Sequence, residues 1–272
     1  MTDYVAPDYT QRPLVDLLSL AGRVAFVTGG ARGIGSAIAR RLAEGGATVV
    51  IGDLNEDGAR IAAAEIAEAT GGSVHGTGLD IGDAAAVART LDAVVSAHGS
   101  LDILVNNAGI YPPSGDPRDV TEEHLRRVID VNVVGTFLVS REAARHLGAG
   151  GVIVNVVSTA GLRASKGTMA YVMSKHAVTG LTKSLALEFG DRGIRVVGVA
   201  PEVTLTPGVA EATEALAAAG YEAGRQQSLN LFGRRAQADD IARVVYFLAS
   251  DLALWVTGSV VAADAGRLAV LG

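Results

Sequence analysis

Short runs of β-branched and other apolar residues alternate along this chain with longer stretches in which apolar positions recur three or four residues apart. The short runs predict strands at 23–28, 48–52, 73–79, 103–106, 151–157, 195–200 and 259–262. The longer ones predict helices at 33–44, 56–70, 84–98, 121–147, 169–190 and 238–250. Regular alternation of strand and helix is the pattern of a parallel sheet, whose neighbouring strands need a crossover that a helix supplies. Val152-Ile153-Val154-Asn155-Val156-Val157 is apolar at almost every position rather than every second one, which suits a strand covered on both faces. The expected fold class is α/β, a doubly wound parallel sheet of about seven strands with helices on both faces.

Two stretches break the rhythm. Residues 1–20 precede the first strand as an N-terminal arm, either disordered or docked on a neighbouring subunit. Residues 201–236 are too long for a simple strand-to-helix connection, and their Ala- and Glu-rich centre, 209–219, is expected to be helical. Insertions at the carboxyl end of a parallel strand are where lids and specificity loops sit, so 201–236 reads as a substrate lid. No internal boundary rich in Pro, Gly or Ser appears, so 21–272 is expected to form one domain.

Composition removes several function classes. Apolar residues make up 49% of the chain and charged ones 19%, which is enough for a sizeable core and argues against disorder. A net charge of −6 without any basic stripe disfavours nucleic acid as a partner. There is no cysteine, which rules out disulfides, thiol catalysis and cysteine-ligated metal. His75, His98, His124, His146 and His176 form no ligand-like grouping in the sequence, and no metal site is expected. No uncharged apolar run reaches the roughly 18 residues a membrane helix needs. The first twenty residues carry acids and prolines rather than a signal-peptide core. A cytoplasmic protein without a membrane partner is the expectation.

The first candidate chemistry lies between the first strand and the first helix, in Thr28-Gly29-Gly30-Ala31-Arg32-Gly33-Ile34-Gly35. Glycines there let the backbone turn tightly and approach a pyrophosphate, whose charge is favoured at a helix N-terminus. The spacing differs from the G-x-G-x-x-G fingerprint, so its context carries the argument. Asp53 ends the second strand, where a carboxylate accepts hydrogen bonds from a ribose 2′-hydroxyl and repels a 2′-phosphate. That favours NAD over NADP, although the Arg32 guanidinium could attract a 2′-phosphate. Asp80 ends the third strand, and Asn106-Asn107-Ala108-Gly109 ends the fourth with small residues that admit a ligand close to the backbone.

The second candidate is Tyr171-Val172-Met173-Ser174-Lys175, in a chain with only three lysines. Residues four apart share a helix face, so phenol and ammonium can point into one site. An isolated tyrosine titrates near pH 10, and a nearby ammonium is expected to lower that value toward acid–base work at neutrality.

Together these residues resemble the short-chain dehydrogenase/reductase family, from about Leu18 to Gly266, with the motifs in the family's order. Asn132 lies in the preceding long helix, and Ser158 stands thirteen residues before Tyr171, the family's usual interval. The resemblance implies a Rossmann-like domain and a hydride transfer between a nicotinamide cofactor and a secondary alcohol or ketone. It implies that Tyr171 exchanges the proton on the substrate oxygen and that Ser158 holds that oxygen. Lys175 would lower the tyrosine pKa and bond the nicotinamide ribose, while Asn132 would anchor a water that relays protons to Lys175. The implied cofactor contacts are Gly29, Arg32, Gly33, Ile34, Gly35, Asp53, Leu54, Asp80, Ile81, Asn107, Ala108 and Gly109, then Tyr171 and Lys175, then Pro201, Val203, Thr204 and Thr206. It also implies a homotetramer with an interface on helices 121–147 and 169–190.

One departure stands out: Glu202 follows Pro201 where members often have glycine, and it either faces solvent at the lid hinge or lines the substrate pocket. Ile110, Tyr111, Leu162, Met173 and the lid near 203–233 are further candidates for a mostly apolar pocket. The competing readings are an NADPH-dependent 3-oxoacyl-carrier-protein-type reductase and a nucleotide-sensing protein that kept the fold without turnover.

Overall fold

The computed structural model describes residues 4–218 and 230–269. Met1 to Asp3 of the arm, and 219–229 of the lid with the last residue of its expected helix, lie outside the described residues.

In chain order the elements begin with a short helix α1 (Leu14–Leu18), then β1 (Val24–Thr28), α2 (Gly33–Glu44), β2 (Thr48–Asp53), α3 (Glu56–Thr70), β3 (Val74–Gly78), α4 (Ala84–His98) and β4 (Ile103–Asn106). Helix α5 (Glu122–Ile129), a π-helical turn (Asp130–Gly135) and α6 (Thr136–His146) follow, then β5 (Val152–Val156), α7 (Met169–Phe189) and β6 (Arg195–Pro201). The lid contributes β7 (Thr204–Leu205), α8 (Pro207–Ala218) and β8 (Ala236–Gln237), before α9 (Ala238–Ala249) and β9 (Val260–Ala263).

Seven strands form one sheet in the order β3-β2-β1-β4-β5-β6-β9, and every neighbouring pair is parallel. The central strands β1, β4, β5 and β6 are buried at every residue, as their continuous apolar runs predict, while the edges β3 and β9 are partly open. Alternate residues feed opposite layers. Ala25 and Val27 pack with Ile38, Leu42, Ile241 and Val245 of α2 and α9. Val24 and Phe26 pack with Leu91, Val139 and Leu185 of α4, α6 and α7. Glycine lets the layers close up. A Cβ at Gly45 would fall inside the Tyr246 ring's space, and one at Gly76 would strike the backbone of α3 at Ala59. Helices α3 and α4 start at Asn55 and Asp83, whose side chains accept backbone N–H groups of the first turn, and end at Gly71 and Gly99 in the left-handed conformation.

Two expectations are corrected. The stretch 121–147 is not one regular helix, because the π-helical turn at 130–135 interrupts it. Gly135 in that turn rests on Ile81, close enough that a Cβ would come within 2.7 Å of the Ile81 Cδ1. The described part of the arm also makes ordered contacts with its own chain, so it does not hang free. Arg12 and Arg23 both pair with Asp251, the Tyr246 hydroxyl donates to the Leu18 carbonyl, and Tyr4 covers Gly193. No helix among the described residues is long and apolar enough to cross a membrane.

Candidate active site

The strand order reverses between β1 and β4, and in open parallel sheets ligands bind in the crevice beyond the carboxyl ends at that point. The glycine turn leaves β1 on one side of the crevice and Asn107-Ala108-Gly109 leaves β4 on the other. Hydrogen bonds lock the two together. The Thr28 hydroxyl accepts from the N–H groups of Asn107 and Ala108, both at 3.0 Å. Asn107 Nδ2 donates to the carbonyls of Thr28 (3.0 Å) and Gly29 (2.8 Å). Gly29 adopts φ 65°, and a Cβ there would stand 2.7 Å from the Ala108 Cα, so only glycine serves. A Cβ at Gly35 would collide with the Gly29 carbonyl oxygen and come within 2.5 Å of Asn107 Nδ2.

The remaining cofactor candidates ring this crevice. Asp53 is half-buried at the end of β2, with Oδ2 accepting from the Ala31 N–H and Oδ1 from the Asn55 N–H, both at 3.0 Å. Leu54 beside it is 79% exposed. Asp80 is exposed and turns back to accept the Gly82 N–H at 2.8 Å, and Ile81 is buried. Ile34 joins the core layer beneath α2. Pro201 is buried at the end of β6, Val203 is exposed, and the buried Thr204 donates its hydroxyl to the Glu202 carbonyl at 2.8 Å. Thr206 lies against Gly33, 3.4 Å from where a Cβ would stand. Arg32 occupies the N-cap position of α2 without capping it by side chain, and forks onto Glu211 of α8 at 2.6 and 3.2 Å. A dinucleotide fits this set: a glycine cradle that side chains would fill, an uncapped helix N-terminus and a carboxylate at the end of β2.

On the other half of the crevice three elements converge. Ser158 follows β5 and caps the 3₁₀ turn Thr159–Gly161, its Oγ accepting from the Ala160 N–H at 3.1 Å. The same side chain lies near enough to Tyr171 of α7 to hold its phenol pKa down. Lys175, one turn on and buried, donates from Nζ to the Val156 carbonyl at 2.8 Å, and Nζ lies 5.7 Å from the Tyr171 ring centroid. The shared helix face read from the sequence is therefore present, whereas the neighbouring His176 is exposed. Gly109 leaves room beside Nζ: a Cβ there would be 3.8 Å from it and 3.0 Å from Asn132 Oδ1.

Asn132 sits in the π-helical turn, its side chain buried and committed. Its Oδ1 accepts the Ile110 N–H at 2.8 Å, and Nδ2 donates to the Ile110 carbonyl at 2.9 Å and to Ser174 Oγ at 3.0 Å. That clamp fixes the loop carrying Tyr111, whose ring lies 4.5 Å from that of Tyr171 at 59°. Ser174 went unread in the sequence, although it adjoins Lys175. Asn155 did too, as did the network that joins it to Asn106. Asn106 donates to Asn155, its register partner on β5, at 2.9 Å and to Ser140 of α6 at 2.8 Å, and Asn155 donates to Thr182 of α7 at 2.9 Å. The visible signal was an amide inside the apolar run of β5.

The expected lowering of the Tyr171 pKa is overturned. Burial pushes it up to about 12, Ser158 opposes that rise, and Tyr111 adds to it. Burial also pushes Lys175 down to about 8. Both shifts have one cause, since a low-dielectric site favours the uncharged form of either group. Glu202 does not simply face solvent. It is half-buried, and its Oε2 accepts from Asn230 Nδ2 at 2.8 Å, tying the hinge of the lid to its returning end.

Residues 29–267 match a family model described as enoyl-(acyl carrier protein) reductase. The chain is 40% identical to cis-4-hydroxycyclohexanecarboxylate dehydrogenase of Sinomonas cyclohexanicum over 93% of its own length and 99% of the relative's. A short-chain dehydrogenase of Burkholderia cenocepacia, solved in complex with NADP, superposes with a TM-score of 0.82 at 38% identity, covering 92% of this chain and 99% of the other. A 3-ketoacyl-(acyl-carrier-protein) reductase of Brucella melitensis, solved with NADH, does so with a TM-score of 0.82 at 34% identity over the same shares. The chain belongs to the short-chain dehydrogenase/reductase family. It is an oxidoreductase of alcohols and ketones that uses a nicotinamide cofactor.

Proposed function

We propose that this enzyme interconverts a secondary alcohol and a ketone with NAD, and that Tyr171 is its general acid and base. The observation that carries the proposal is the convergence of Tyr171, Ser158 and buried Lys175, from α7 and the end of β5, on the crevice that the glycine turn opens. A bound oxidised nicotinamide supplies a hydride acceptor and a positive charge. Tyr171 takes the hydroxyl proton of the alcohol at its phenolic oxygen, or returns it to the ketone oxygen. Ser158 donates to that oxygen and orients the phenol. Lys175 is held by the Val156 carbonyl where its charge faces the phenol, and Gly109 leaves the adjoining space for a ribose. Asn132 acts through the backbone, keeping Ile110 and the Tyr111 wall in place.

Asp53 supports NAD, because its carboxylate is fixed by two N–H groups at the end of β2 and would repel a 2′-phosphate. The Tyr111 ring beside Tyr171 supports an apolar substrate, and the Sinomonas relative's name points to a cyclohexane ring. Exposed Val134, Phe137 and Leu187 on the outer faces of the 121–147 region and α7 support an interface there in a cytoplasmic homotetramer, which light scattering of the purified protein checks.

The deciding experiment scores cyclohexanol, acyclic secondary alcohols, their ketones and a 3-oxoacyl thioester by nicotinamide absorbance, with both cofactors side by side. A kcat/KM for NAD at least about tenfold above that for NADP is expected with a cyclic secondary alcohol. Preference for the 3-oxoacyl thioester with NADPH would establish the carrier-protein-type reductase instead. Absence of turnover with tight NAD binding would leave the nucleotide-sensing reading.

A further inference from the structure

Arg32 is the only cation in the turn from Thr28 to Gly35, and the structure surrounds it with acid. On one side Asp53 is bonded to the N–H of the adjacent Ala31. On the other, Glu211 of the lid helix meets the guanidinium in a two-pronged contact, Nη1 to Oε1 at 2.6 Å and Nη2 to Oε2 at 3.2 Å. The lid also touches the turn where Thr206 packs on Gly33. Both partners of the pair are more than half exposed, so the contact adds little to folding. Its consequence lies in what else Arg32 can hold. Forked contact with a carboxylate uses the same N–H groups that would grip a phosphate.

We propose that Glu211 is a cofactor-selecting residue, which by occupying Arg32 disfavours dinucleotides that carry a 2′-phosphate. A 2′-phosphate must either displace the Glu211 carboxylate from the edge it holds or take the remaining Nε edge beside it, and in both places it meets the repulsion of two acids. Asp53 alone cannot deliver this, since its oxygens are engaged with N–H groups and leave the Arg32 fork free.

This rests on the proposed preference for NAD but is read independently of it, as a change of ratio between variant and parent. Calorimetric titration of Glu211→Gln with adenosine 2′,5′-bisphosphate and with AMP supplies a readout that needs no turnover. The affinity ratio, bisphosphate over AMP, should rise by about five- to thirtyfold, and the Kd ratio of NADP to NAD should fall in step. The gain should vanish in the Arg32→Ala/Glu211→Gln double variant, and it should shrink at high salt in the single one. A ratio within about twofold of the parent overturns the proposal, as does a gain that survives the loss of Arg32. A parent that prefers NADP would sink the cofactor preference while the change of ratio still decides the role of Glu211. Circular dichroism checks that the exposed substitution leaves the fold intact.

Discussion

Hydrogen bonds from buried side chains hold the catalytic half of the crevice. Asn132 spans Ile110 and Ser174, Lys175 reaches back to β5, and half-buried Ser158 caps its own turn. The rim that would meet the adenosine half is held quite differently. Leu54 and Asp80 are exposed there, and the pair of Arg32 with Glu211 stands in solvent. Proton transfer tolerates little displacement, so its groups are fixed by several elements at once. Choice between cofactors needs only a difference in charge, which an exposed pair supplies. Substitutions on the two halves should therefore fail in different ways: in turnover on one, in ratio of affinities on the other.

Tyr171→Phe should break the contrast most strongly. It removes one hydroxyl from the half where position is fixed, and turnover should fall by about a thousandfold or more while NAD affinity stays near that of the parent. Stopped-flow turnover and calorimetric binding on the same preparation check it. Turnover close to the parent's would remove Tyr171 from the mechanism. Gly35→Ala comes next and tests the joint between the halves. Its Cβ would strike the Gly29 carbonyl and Asn107 Nδ2, so the glycine turn and the Asn107 loop must part. A loss of about 2–3 kcal/mol in urea unfolding is expected, together with weaker binding of both cofactors alike. If only one cofactor suffers, the joint belongs to the selecting rim.

The sequence carried the sheet well because seven strands, buried on one or both faces, leave long apolar runs or regular alternation, and α2, α3 and α4 start and stop at glycines and caps that local chemistry dictates. The shared face of Tyr171 and Lys175 on α7 was legible too, since helical spacing defines it. Three features were not. The π-helical turn around Asn132, where Gly135 packs closely on Ile81, is recorded by no periodicity. Glu211 reads as one more acid on an Ala-rich helix until the lid folds over Arg32. The direction of the Tyr171 shift depends on how much water the site excludes, and spacing alone shows the partner but not the burial.

Lys175→Met measures that burial directly. A lysine ordinarily titrates near 10.4, while burial brings Lys175 down to about 8. Between those values the unfolded chain binds a proton that the folded one does not, so this group makes stability rise with pH across the window. Below pH 8 both forms are protonated, and the folded state bears the whole cost of a buried ammonium. Methionine cannot ionise and lacks the slope. The stability of the parent minus that of Lys175→Met should thus increase by about 2 kcal/mol between pH 7 and pH 10. Tyr171 does not disturb the comparison, because a phenol whose pKa is raised from 10 to about 12 lowers stability only as pH passes 10. Urea unfolding of both proteins at the two pH values supplies the difference. Parallel values would mean that the ammonium keeps its proton inside the fold, compensated by charge as Arg32 is, and the distinction between a desolvated catalytic half and a charge-paired rim would disappear.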